Sequence, residues 1–136
     1  MELDKSFAVA FAGMSAQSQR LKVIAENIAN ADSTAKTPDA DPYKRKVISF
    51  EDELDKATGV DMVKVAGVSQ VDGGFGRIYE PGNPAADPNG YVKTPNVNTI
   101  TEMMDMREAQ RSYDANLNVI DAAKSMLSRT IDLLRG

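Results

Sequence analysis

Apolar side chains recur in alternating steps of three and four at both ends of the chain. Over residues 3–29 the series is Leu3, Phe7, Ala10, Met14, Gln17, Leu21, Ile24 and Ile28, with Gln19, Arg20, Lys22, Glu26 and Asn27 off it. Such spacing holds one stripe of a helix toward a partner and predicts a heptad seam about 40 Å long. Near the other end, Thr99-Ile100-Thr101-Glu102 has the spacing of a capping box: Thr99 accepts from the Glu102 N–H while the carboxylate reaches back. Met103, Met106, Gln110, Tyr113, Leu117, Ile120, Lys124, Leu127, Ile131 and Leu134 then keep the same alternation, and Gly136 follows as a stop. That second helix is about 50 Å long. Gln17, Gln110 and Lys124 within the stripes cost stability and set register.

The chain between is different in kind. Residues 43–50 and 61–71 read as short strands, and 77–80 and 91–94 as two more, with Pro81-Gly82-Asn83-Pro84 and Asp87-Pro88-Asn89-Gly90 as turns. The expected organisation is an N-terminal coiled-coil helix (1–31), a β-hairpin and loop module (32–98) and a C-terminal coiled-coil helix (99–136). The fold class is mainly α with a small β module, the two helices pairing as a coiled coil into one axial core. Where the first helix runs out, in Asn27-Ile28-Ala29-Asn30, the amides are expected to satisfy open carbonyls, and Asn30 or a neighbour to take a left-handed turn.

Two long stripes must be buried against something. A helical hairpin is the simplest answer, and periodicity alone favours it. Phe7, Phe11, Met103 and Met104 widen the apolar surface beyond a two-helix seam, which leaves room for neighbouring subunits.

Composition removes whole classes of chemistry. The chain has no Cys and no His, so thiol nucleophiles, disulfides, imidazole catalysis and the usual zinc ligands are excluded. With 16 basic and 20 acidic residues, a net charge of −4 makes neither nucleic acid nor an anionic membrane an attractive partner. Lys44-Arg45-Lys46, a compact basic run, reads as a solvated strand edge. Gly73-Gly74-Phe75-Gly76 lacks the Lys-Ser/Thr ending of a phosphate loop and reads as a hairpin turn. Asp39-Ala40-Asp41 and Asp87-Pro88-Asn89-Gly90 do not continue into a calcium loop. Glu51-Asp52-Glu53-Leu54-Asp55 reads as a short solvated helix or turn without the dry pocket that acid catalysis needs. No catalytic, cofactor-binding or metal-binding residue is expected, and no cofactor. Residues 7–14 are too short, and too closely preceded by acids, for a signal core. No segment is both long and apolar enough to span a bilayer.

Two stretches resemble known sequences. "AQSQRLKVIAENIANADS" is similar to the N-terminal signature of the bacterial flagellar axial proteins. The long stretch from Arg77 to Met126 resembles the FlgC-type family of proximal rod proteins. It does so in Tyr79-Glu80-Pro81-Gly82-Asn83-Pro84, in Asp87-x-x-Gly90-Tyr91-Val92, in Pro95-Asn96-Val97-Asn98 and in Arg111-Ser112-Tyr113-x-Ala115-Asn116. The motif positions are thus Asn27, Asn30, Pro81, Gly82, Gly90, Tyr91, Pro95, Asn96, Asn98, Tyr113 and Asn116. The chain departs from the family at residues 33–42, which lengthen the loop before Tyr43. The resemblance implies a non-enzymatic building block of the rod in the periplasmic space, exported by the flagellar type III apparatus without a cleaved leader. It implies helical stacking through the terminal helices, with other rod subunits and the rod-base adaptor as partners. The alternatives are a different rod protein or a cytoplasmic coiled-coil adaptor or secretion chaperone.

Overall fold

A computed structural model describes residues 2–136. Helix α1 (Glu2–Ala29) opens with Glu2 and Asp4 in its first turn, where carboxylates favour the positive end of the helix dipole. It ends where Asn30 turns both its backbone N–H and its side-chain amide onto Glu26 O, at 3.1 and 2.8 Å. The Ser33 hydroxyl then donates to Asn30 O. No described residue other than glycine has positive φ, so the left-handed turn expected at Asn30 does not form. The amide side chain reaches back to the same Glu26 carbonyl instead.

Helix α2 (Thr99–Arg135) also starts differently from the reading above. Its cap is Asn98, whose Oδ1 accepts from the backbone N–H of Ile100 and Thr101 at 3.1 and 3.3 Å. An Asn in this position outcompetes Thr as an N-cap. Glu102 is thereby released from capping, and its side chain turns inward.

Between the helices lie β1 (Lys46–Asp55), β2 (Val60–Gln70), β3 (Gly76–Tyr79) and β4 (Tyr91–Thr94). β1 pairs with β2, and β3 with β4, as two separate two-stranded sheets. β1 starts three residues later than expected and absorbs Glu51-Asp52-Glu53-Leu54-Asp55, which is strand and not helix or turn. Gly73 and Gly74, at φ +77° and +72°, link the two sheets and do not close a hairpin.

Contacts divide the chain into two compact units, each taking part of both helices. The first holds residues up to Leu21, Ser49–Gly67 and Arg107–Gly136. Here α1 and α2 pack antiparallel largely on small side chains: Ala10, Gly13 and Ala16 are buried, as are Ala109 and Ala123, with Ile120 the larger residue among them. The approach is closest at Gly13, where an added Cβ would sit 2.6 Å from Asn116 Nδ2. The tip of the β1–β2 hairpin closes on Asp55, which accepts from Thr58 Oγ1 (2.7 Å) and from the N–H of Ala57 and Thr58. These bonds hold the Asp55 carboxyl below its usual range, the Thr58 hydroxyl most of all.

The second unit holds Lys22–Ile48 and Val68–Met106. β3 and β4 run antiparallel, with Tyr79 opposite Tyr91 and Ile78 opposite the fully buried Val92. Asn96 ties the strand ends together. Its Nδ2 donates to Val71 O and Gly73 O at 2.8 Å each, and its Oδ1 accepts from Arg45 N–H at 2.7 Å.

Candidate assembly interface

The end of α1 is joined to the start of α2 by a buried polar knot in the second unit. Asn27 is 1% exposed, and all four of its side-chain hydrogen-bonding positions are used. Nδ2 donates to Lys46 O (2.8 Å) and Glu102 Oε2 (3.2 Å), while Oδ1 accepts from Tyr43 Oη (2.8 Å) and Lys46 N–H (2.9 Å). Glu102, equally buried, accepts from Arg45 Nε on its other oxygen, and Arg45 also reaches Asp105 at 3.6 Å. Burial lifts the Tyr43 phenol above its ordinary value; nearby Lys46 opposes this, and Glu26 and Glu102 add to it.

The basic run is therefore not a solvated strand edge. Lys44 pairs with Asp72 at 2.6 Å, Arg45 with Glu102, and Lys46 with Glu26 at 3.0 Å. Nothing in the local pattern announces this, because the acids that meet the run come from both helices and from the link after β2.

The second cluster of motif residues builds the turn between β3 and β4. Asp87 Oδ1 accepts from the N–H of Asn89 and of Tyr91, both at 2.9 Å, and Asn83 Oδ1 accepts from Ala85 N–H. Glu80 accepts from the Asn83 amide at 3.1 Å, and Pro81 and Gly82 form the exposed bend between them. Gly90 sits at φ +87° beneath the Tyr79 ring, where an added Cβ would fall 2.7 Å from Tyr79 Cε2. Tyr79 and Tyr91 meet edge to face at 5.4 Å. Buried Pro95 leads from β4 toward Asn98.

Along the helices, Ala10, Ile24 and Ile120 of the expected stripes are buried, and Leu3, Phe7, Gln17, Met106 and Tyr113 are half-buried. The other column of each stripe lies one residue earlier. Gly13 and Asn27 are buried, while Met14, Leu21 and Ile28 are half-buried beside them. Glu102, Ala109 and Ala123 are buried with Asn116 half-buried, while Met103, Gln110, Leu117 and Lys124 are exposed. Short side chains let the backbones approach, and the large ones are pushed to the flank. Phe7 and Phe11 stack at 6.3 Å with Phe11 56% exposed, and Leu117, Leu127, Ile131 and Leu134 are open too. Among the described residues there is no group of acids placed to hold a metal ion, and no helix long and apolar enough to cross a membrane.

Two terminal helices leave open apolar flanks and are joined through a buried polar knot centred on the motif residue Asn27. Residues 7–35 match the family of flagella basal body rod proteins, and residues 89–133 match the C-terminal family of the flagellar basal body rod FlgEFG proteins. The flagellar basal-body rod protein FlgC of Agrobacterium fabrum is 53% identical over 133 residues, covering 98% of this chain and 96% of that protein. Its namesakes in Salmonella typhimurium and Borreliella burgdorferi are 44% and 38% identical, covering 98% and 100% of this chain and the same shares of their own lengths. The chain belongs to the FlgC family and is a structural rod subunit of the flagellar basal body. That family implies a non-enzymatic role.

Proposed function

We propose that the subunit polymerises helically through its terminal helices, which complete a coiled coil in the stack and form the proximal part of the torque-transmitting rod. The observation that carries this reading is the choice of contact face. Within one chain the helices meet on Gly13, Ala16, Ala109 and Ala123, while Phe11 and Leu117 remain 56% and 39% exposed. Fully burying a side chain of that size is worth about 1.5–3 kcal/mol, so each neighbour that covers this flank gains stability a lone chain forgoes. Contacts between unlike faces do not close on themselves, and they generate an open helical tube. The partners are other rod subunits, the rod-base adaptor and the type III export apparatus; the place is the periplasmic rod, reached without a cleaved leader. An arm with few large buried side chains is easily unfolded for passage through a narrow export channel.

Leu117→Asp tests the reading, because an exposed position tolerates charge in the free chain. The variant is expected to keep wild-type helicity and melting, yet to leave cells without rods or swimming. Reconstruction of isolated basal bodies provides the readout. Intact rods containing the variant would overturn the proposal.

A further inference from the structure

Two open surfaces of the first unit complement each other. A groove of about 560 Å³ runs between α1 and the β1–β2 hairpin, walled by Ala12 and Ala16 on one side and Leu54, Met62, Val63 and Val65 on the other. Its helical wall spans Ala12 to Gln19, about 11 Å. The other surface is the end of α2. Gly13 against Asn116 and Arg20 against Glu108 set an antiparallel register, which brings Leu3 level with Met126. Residues 128–135 thus run about 12 Å past the described part of α1. On this end Leu127, Ile131 and Leu134 form a stripe at i, i+4, i+7, and Ile131 and Leu134 are 45% and 83% exposed.

Charge favours the pairing as well. In the groove lining Glu53 and Asp55 balance Lys56 and Lys64, and Glu51 and Asp52 on β1 add acid beside it. The helix end carries Arg129 and Arg135 against Asp132. A chain cannot fill its own groove, because its helix end runs out beyond Leu3, which is itself roughly 18 Å along α1 from the middle of the groove wall.

We infer that the last two turns of α2 from one copy seat in the α1–hairpin groove of a second copy, with Ile131 and Leu134 as the apolar anchors. This rests on the reading that the chain self-assembles, and it names the two surfaces. The mode is an amphipathic helix in a groove, and its head-to-tail sense gives the growing assembly a direction.

The natural chain has no cysteine, so single substitutions report cleanly. Val63→Cys and Leu134→Cys proteins are mixed under mild oxidation at concentrations where sedimentation shows association. Asn118→Cys, on the outer face of α2, replaces Val63→Cys as the control. The 63–134 disulfide-linked pair is expected at least tenfold above the 118–134 pair. It should fall to the control level when the tail donor also carries Ile131→Asp, a substitution at a partly exposed site whose folding is checked by circular dichroism. Association without excess 63–134 linkage overturns the seating and leaves self-assembly standing. Linkage within a single doubly substituted chain also overturns it. If the chains associate neither with each other nor with isolated basal bodies, the seating and the assembly reading fall together.

Discussion

Replacing Asn27 by alanine removes one side chain and four hydrogen bonds from a site that is 1% exposed. The backbone N–H and C=O of Lys46, the Tyr43 hydroxyl and Glu102 Oε2 all lose a partner. A buried group left unsatisfied costs about 1–3 kcal/mol. Lys46 is only half-buried and regains water, and Glu102 keeps Arg45, so the loss comes to about 3–5 kcal/mol. That is a large part of the ~5–15 kcal/mol typical of a whole domain. At about 2–5 °C per kcal/mol for a chain of this size, melting falls by ~6–25 °C. Asn27→Asp makes a sharper second case. It keeps the shape, loses both donors and sets a carboxylate 3.2 Å from Glu102. Its deficit should shrink as pH is lowered, because protonating the introduced carboxyl restores a donor. Thermal melts followed at 222 nm on both variants, on Glu102→Ala and on the Asn27→Ala/Glu102→Ala double variant measure the coupling directly, with ~1–3 kcal/mol expected. The reasoning is refuted if Asn27→Ala melts within 3 °C of the wild type (about the effect of 1 kcal/mol), or if the two substitutions add to within about 0.5 kcal/mol.

Gly90→Ala forces a Cβ onto a residue at φ +87° and against the Tyr79 ring, so ~2–3 kcal/mol should be lost and the Tyr79–Tyr91 cross-strand NMR contacts should disappear. Persistence of those contacts at unchanged stability would contradict the packing. Gly13→Val should cost ~1–3 kcal/mol in urea denaturation by overpacking the helix crossing, whereas Gly13→Ala with Asn116→Ala removes the collision and gains up to ~1 kcal/mol. A Gly13→Val protein as stable as the wild type would show that the helices do not meet there. The Tyr43 phenol has its folded-state value raised above 10.0, so its contribution is whole below pH 10 and drains away as pH climbs through the raised value. Wild type should therefore lose stability relative to Tyr43→Phe as pH rises from 10 through the raised value; a constant difference across that range counts against the hydrogen-bonded hydroxyl.

The two helices and the strand at Tyr91–Thr94 were legible in the sequence because each depends on neighbours within a few residues. Apolar periodicity, a stop at Asn30 and turn residues around Gly90 act locally, and the folded chain keeps them. The rod family was legible too, since its motifs are runs of contiguous side chains. The depth of each stripe position was not. Periodicity weighs hydrophobicity, which marks Met14 and Leu21 on one helix and Met103 and Leu117 on the other as seam positions. Packing weighs size, and it brings the helices together on Gly13, Ala109 and Ala123.

The polar knot was hidden for a related reason. Its bonds join residues 57 and 75 positions apart, so Lys44-Arg45-Lys46 looks solvated until Glu102 and Glu26 are brought beside it. Even the start of α2 turned on this. Asn98 caps the helix, and Glu102, free of that task, becomes the acid that Arg45 and Asn27 bury. Local sequence thus determined the two helices and the turn between β3 and β4, but not the full length of β1. Tertiary contact decided which face of each helix is spent inside the chain, and so which face is left open.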